Sequence, residues 1–119
     1  MAHHKDLDAW KLSIDLVSEI YAITKTFPME EMYGLTNQIR RSAVSIPSNI
    51  AEGSARQSNK ELIHFLYISL GSLSELETQL IIANNLSYLT NLEPIMDKLN
   101  SIRKLLIGLI KYWKGKTNM

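Results

Sequence analysis

Glu61-Leu62-Ile63-His64 has the Glu-x-x-His spacing with which helix bundles hold paired iron or manganese ions, because residues three apart share one helix face. A complete centre needs a second such motif and two further carboxylates. The remaining histidines, His3 and His4, stand at the amino terminus in no such pattern. Glu61 also has a competing duty. Ser58-Asn59-Lys60-Glu61 has the spacing of a capping box, in which Ser58 accepts the Glu61 backbone N–H and Glu61 reaches back. No metal centre is therefore expected, and His64 reads as a helix-surface or interface residue. With Met1 removed, Ala2-His3-His4 would offer an amine and a third-position imidazole to copper or nickel; an incidental terminus is the simpler reading. The chain has no cysteine to act as a thiol nucleophile. It shows no Gly-rich phosphate loop, no Ser-His-Asp order and no aromatic-basic interleaving. We expect no catalytic residue and no cofactor, and read the chain as a non-enzyme.

The most unusual chemistry lies in Gln38-Ile39-Arg40-Arg41-Ser42-Ala43-Val44-Ser45-Ile46-Pro47-Ser48-Asn49-Ile50-Ala51-Glu52-Gly53. Ile39, Ala43, Ile46 and Ile50 form one apolar helical stripe, and Gln38, Arg41, Ser45, Ser48 and Glu52 form a polar one beside it. A face that needed only solubility would use Lys, Glu and Ala. Serines, and a proline in a helix interior, point to a further requirement. Pairing this helix with the next around a connection near Gln57 places Arg41 close to Leu73, and hence to Glu75 and Glu77. The expected contact is a partly buried Arg41 to Glu75 ion pair, with an arginine offered to a phosphate as the alternative. The same geometry around the first connection brings Glu52 to Trp10 and Lys11. The expected polar network is thus Arg41, Glu75, Glu52, Trp10, Ser45 and Ser48, with the polar stripe turned into the bundle interior in preference to the alternative, a contact between subunits.

Four periodic segments must position these residues. The first, about 6–27, carries Trp10, Ile14, Val17 and Tyr21 on one stripe and Leu16, Ile20, Ile23 and Phe27 on another; Pro28 stops it. The second covers about 35–56. The third, about 59–85, buries Leu62, Leu66, Leu73, Leu76, Leu80 and Ala83. The fourth, about 92–114, repeats Leu92, Ile95, Leu99, Ile102, Leu106, Leu109 and Trp113, with Asn91 preferred over Thr90 as its cap. No segment alternates with a period of two. The fold expected is an all-α, antiparallel up-down-up-down four-helix bundle, one domain over 1–119.

The chain has 119 residues, 45% hydrophobic and 21% charged, an ordinary globular composition. It shows neither a signal-peptide core nor a membrane-length apolar run, and the lack of cysteine fits a reducing compartment, so a soluble cytoplasmic protein is expected. The net charge of +1 gives no strong field for nucleic acid, but Lys98, Arg103, Lys104, Lys111, Lys114 and Lys116 follow one another without an acid. Lys104, Lys111 and Lys114 share one helix face and are the candidate contacts to RNA or DNA; a solvated helix end is the plainer reading. Apolar residues beyond one seam, Leu105, Ile110, Tyr112 and Trp113 on the fourth helix and Ile63, Phe65, Leu70 and Ile81 on the third, favour contacts between copies.

The pattern Trp10, Ile20-Tyr21, Thr26-Phe27-Pro28, Tyr33-Gly34-Leu35-Thr36 and the stretch Gln38 to Gly53, followed by Phe65-Leu66 and Gly71-Ser72-Leu73-Ser74-Glu75-Leu76-Glu77-Thr78, resembles the four-helix-bundle proteins encoded in intervening sequences of bacterial large-subunit ribosomal RNA genes. Relatives of that family include the accessory protein of diversity-generating retroelements, a ring-shaped homopentamer that associates with a reverse transcriptase and nucleic acid. The resemblance implies a homo-oligomer, a pentamer, with RNA, DNA or a protein as partner. The present chain is nearly neutral where the retroelement relatives are markedly basic. Two functions are open: an oligomeric scaffold or adapter that engages a protein or nucleic acid weakly through the fourth helix, and a self-contained structural or regulatory oligomer with no nucleic-acid partner.

Overall fold

The computed structural model describes residues 3–117. Four helices carry the chain: α1 (Asp8–Thr24), α2 (Leu35–Ser54), α3 (Asn59–Asn85) and α4 (Glu93–Thr117). Single 3-10 turns, His4–Asp6 and Met29–Glu31, precede α1 and α2, and no strand occurs among the described residues. The bundle measures 50 × 24 × 20 Å.

Local chemistry explains where the helices stop. α1 ends at Thr24, short of Phe27, because the chain tightens: the Phe27 N–H bonds to the Thr24 carbonyl at 3.1 Å, and the Phe27 ring turns inward against Tyr88, centroids 5.5 Å apart. Ser58 Oγ accepts the Glu61 N–H at 3.1 Å and caps α3. At the far end of α3 the chain reverses through Ser87, whose φ of 66° lies in the left-handed region. There the Tyr88 N–H reaches back to the Ala83 carbonyl at 2.9 Å and satisfies one of the last helical acceptors. α4 begins at Glu93, later than a cap at Asn91 implies. Pro94 then occupies the second helical position, where its missing N–H costs no intrahelical bond.

Each helix packs on its sequence neighbours, α4 closes back on α1, and the diagonal pairs stay apart. Side-chain contacts show the alternation of direction. Along α2 and α3, Ser42 meets Gln79 and Glu75, Ser45 meets Ser72, and Ile46 meets Ser69. Along α3 and α4, Glu77 pairs with Arg103 while Tyr67 meets Lys114. The core is a column of aliphatic side chains, among them Leu16, Ile20, Ile39, Ile46, Leu66, Leu73, Leu80, Leu99 and Ile102, all fully buried. Burial of each is worth roughly 1.5–3 kcal/mol, so the inward stripes supply the main drive to fold. Of the two apolar stripes of α1, only the one bearing Leu16 and Ile20 is closed off. Ile14 and Tyr21 remain about two-fifths exposed, and the Arg40 guanidinium lies over the Tyr21 ring, 4.6 Å from its centroid.

Ser58→Ala should lower stability by about 1 kcal/mol, the usual worth of a side-chain N-cap, measurable by urea denaturation. An unchanged midpoint would show that the cap contributes nothing to α3.

Candidate functional site

The α2–α3 seam is the most extensive of the four and consumes most of the unusual chemistry of α2. Small residues set its spacing. A Cβ added at Gly53 would stand 2.9 Å from Phe65 Cβ and 3.2 Å from the Leu62 carbonyl oxygen, so only glycine lets the backbones meet there. Farther along, Ser69 is fully buried and donates to the Ile46 carbonyl at 2.8 Å, and Ser45 Oγ lies 2.8 Å from Ser72 Oγ. Asn49 Nδ2 donates to both the Ser45 carbonyl and its hydroxyl. Pro47, buried in mid-helix, withdraws one N–H from α2 immediately after the carbonyl that Ser69 serves.

Ser42 is the centre of the polar contacts. Its Oγ lies 2.9 Å from Glu75 Oε1 and 3.0 Å from the Gln79 amide. A hydroxyl has one proton, so it cannot donate fully to two carbonyl-type oxygens. Turning the Gln79 amide end for end resolves the conflict: the amide NH2 donates to Ser42, and Ser42 donates to the Glu75 carboxylate. A buried amide, a buried hydroxyl and a charged acceptor then form one chain from the core to the surface.

The expected Arg41 to Glu75 ion pair does not form. Arg41 is exposed and makes no ion pair, and Glu75 takes its hydrogen bond from Ser42. One residue on a helix is a rotation of about 100°, enough to turn Arg41 out where Ser42 turns in. Arg41 and Glu75 instead stand on an open groove of about 450 Å³, together with Gln38, Ser45 and Gln79. Glu77 is taken by Arg103 of α4 at 2.8 Å. Glu52 is likewise not joined to Trp10 or Lys11; it is exposed and pairs with Arg56 at 2.9 Å, one turn along its own helix. Trp10 packs half-buried on the core with its ring edge toward His4. Ser48 is exposed and bonds back to the Val44 carbonyl. The polar stripe therefore faces solvent, with only Ser45 half-buried, and the polar residues buried along the α2–α3 seam are Ser42, Ser69 and Gln79. Their signal in the sequence was small size at positions facing another helix, which a count of charges and apolar residues passes over.

On α4 the cations divide into two sets. Lys98 pairs with Glu19 of α1 at 2.7 Å and Arg103 with Glu77 of α3, which fixes α4 against both neighbours. Lys104, Lys111 and Lys114 are exposed; Lys114 lies over the Tyr67 ring, 5.1 Å from its centroid, and Lys116 over Tyr112. Lys104 stands beside Asp8 on the α1 side, whereas Lys114 leans to the α3 side, so the three lysines spread across the width of α4. Glu61 and His64 are both exposed. Among the described residues no three His, Asp or Glu side chains gather closely enough to hold a metal ion. Met1 and Ala2 of the Ala2-His3-His4 motif lie outside the described residues; His3 Nδ1 accepts the Lys5 N–H. Among the described residues no helix is long and apolar enough to cross a membrane.

These contacts order the effects of substitution. Arg41→Ala should change stability by less than about 0.5 kcal/mol, as expected of an exposed side chain without a partner. Ser42→Ala should cost about 1–3 kcal/mol, because it strands the buried Gln79 amide. Thermal denaturation of the two variants side by side checks the assignment, and a reversed order would restore Arg41 as the partner of Glu75.

The comparisons with known proteins agree with this architecture. A crystal structure of a protein of unknown function from the S23 ribosomal protein family of Bacteroides thetaiotaomicron is similar to the chain. Its TM-score is 0.80 and its sequence identity 31%, over 87% of the present chain and 95% of that one. No curated protein matches the sequence. The model of the 23S rRNA-intervening sequence proteins matches residues 5–108, and the chain belongs to that family.

Proposed function

We propose that this protein is a non-catalytic, self-assembling scaffold of the cytoplasm, whose copies join through the outward face of α3 into a ring, five by resemblance. The observation that carries the reading is the composition of that face. Its stripe runs Lys60, His64, Tyr67, Gly71, Ser74, Thr78 and Ile82, all exposed, with its lysine confined to the first turn. Ile68 and Ile81 widen it, each about two-fifths exposed, and the exposed Glu75 lies on the line between Ile68 and Ile82. The equivalent stripe of α1 is of the ordinary solvated kind, Lys11, Asp15, Ser18, Ala22 and Lys25. A helix on whose solvent side isoleucine, tyrosine and glycine outnumber the charged residues suits a protein partner.

Gly71 sharpens the argument. A glycine inside a helix costs about 1 kcal/mol relative to alanine, and a Cβ built on Gly71 meets nothing within 4 Å. The single chain gains nothing from its absence, whereas a helix of another copy could approach closely there. Gly71→Ala should therefore stabilise the isolated chain by about 0.5–1 kcal/mol. Gly71→Gln should leave it folded and dissociate the assembly, as read by light scattering at micromolar concentration. A wild-type protein that is monomeric in that experiment defeats the reading.

Nucleic acid enters as a weak partner through Lys104, Lys111 and Lys114. Five copies would bring about fifteen such charges together, enough for sequence-independent attraction to phosphates. Glu93 and Asp97, exposed at the other end of α4, confine the basic band to its C-terminal half. Retention of structured RNA should fall steeply between low and physiological salt, and replacing Lys104 and Lys111 with glutamine should flatten that dependence without altering assembly, Lys114 being kept because it packs on Tyr67 of the α3 face. No retention even at low salt would leave the self-contained oligomer as the function.

A further inference from the structure

The end of the bundle remote from the free lysines carries a feature that neither assembly through α3 nor phosphate contact through α4 employs. The turn between α1 and α2 presents Met29 with 84% and Tyr33 with 95% of its surface exposed, and Met32 beside them with 39%. Scattered exposed apolar residues are ordinary. These three fall within five positions of one connection, where a turn that served only to reverse the chain would use glycine, serine, asparagine or lysine.

The turn is also held rigidly. Pro28 leads into the 3-10 turn Met29–Glu31, closed by the Glu31 N–H on the Pro28 carbonyl at 2.9 Å and the Met32 N–H on the Met29 carbonyl at 3.1 Å. Glu31 then binds in two directions. One carboxylate oxygen accepts the Leu35 N–H at 3.2 Å, at the start of α2, and the other accepts the Tyr88 hydroxyl at 3.0 Å, from the α3–α4 connection. That hydrogen bond, with burial and the carboxylate charge, holds the Tyr88 phenol above its ordinary pKa. Tyr88 packs on Phe27, which is buried. The exposed side chains are thus mounted on a braced platform, and docking onto it forfeits little backbone freedom.

The charges around this tip have one dominant sign. No lysine or arginine occurs between Lys25 and Arg40, nor between Lys60 and Lys98. Arg40 is engaged with Thr24 and Tyr21, and Lys98 is held by Glu19. Lys25 is left against Glu30, Glu31, Glu93 and Asp97, with Glu30 and Glu93 exposed. Carboxylates repel the phosphates of RNA and of anionic lipid alike, so neither suits this end. They attract cations, while tyrosine and methionine supply the adaptable apolar contact typical of protein interfaces.

We propose that the Met29–Tyr33 turn is a docking surface for a cationic amphipathic segment of a partner protein, with Met29 and Tyr33 as the apolar anchors and Glu30 as the charged contact. The turn shares no residue with the α3 face.

Methyl-labelled methionine makes the test direct. The full chain is titrated, under NMR observation of the Met29 and Met32 methyls and the Tyr33 ring, with a leucine–lysine amphipathic peptide of about five helical turns. A leucine–glutamate peptide and a serine–lysine peptide of the same length serve as comparisons. The expected result is a saturable shift of the tip signals with leucine–lysine alone, weakened by salt. The double variant Met29→Ser, Tyr33→Ser should lose affinity by about tenfold or more, the loss typical of central anchor residues. Its melting temperature should not change, since both side chains are exposed. Glu30→Lys, which leaves the anchors in place, should also weaken binding. Shifts confined to Tyr67 or Ile82, equal binding of the leucine–glutamate peptide, or undiminished affinity in the double variant would each overturn the proposal. So would tip shifts that follow protein concentration without peptide, which would make the occupant a second copy of this chain.

Discussion

The close approach of α2 to α3 is the constraint on which the rest of the molecule depends. Two helices come this near only if the residues between them are small, and Gly53, Ser45, Ser69 and Ser72 meet that condition in succession. Small residues bury little apolar surface, so the seam recovers stability by satisfying polar groups across it. The serine hydroxyls donate to the opposing helix, and Gln79, nine-tenths buried, is matched by Ser42. Register follows from that matching. A slip of one residue would leave Ser69, Ser42 and Gln79 without their partners inside a medium that penalises each loss.

Once α2 and α3 are fixed, α4 is placed by electrostatics at its edges and by aliphatic packing at its centre. Glu19 and Glu77 hold Lys98 and Arg103 from opposite sides, and Ile95, Leu99, Ile102 and Leu106 fill the space between. Both pairs are partly exposed and each contributes little energy. Their effect is on orientation: they neutralise the cations nearest the seams and turn Lys104, Lys111 and Lys114 outward. The same sequence composition with different pairing would have left a different basic face.

The two ends of the bundle consequently differ in kind. One gathers the unpaired lysines of α4 beside the α2–α3 connection. The other brings two connections together through Glu31 and Tyr88 and presents methionine and tyrosine among carboxylates. Between them lies the outer face of α3, poor in charge. These are three surfaces of different chemistry on one small chain, while the buried hydroxyls of Ser42 and Ser69 serve the contact between α2 and α3.

The sequence by itself determined the helical class, the four inward aliphatic stripes and the capped start of α3. These are set by residues within a turn or two of one another, whose spacing is visible without knowing the fold. It also signalled that Gln38 to Gly53 has a special duty, through serines and a proline where a solvated helix has no use for them. It did not decide which residues discharge that duty. Arg41, Glu52 and Ser48 carry the conspicuous polar groups, and the tertiary structure leaves all three at the surface; the less conspicuous Ser42, Ser69 and Gln79 lie within. The reason is angular. Neighbouring residues on a helix point about 100° apart, and the register of two helices depends on contacts summed over positions far apart in the chain. The junction of Glu31 with Tyr88, 57 positions away, is of the same kind. Neither partner has any local need of the other, and it is the antiparallel packing of α2 on α3 that brings their connections to one end of the bundle.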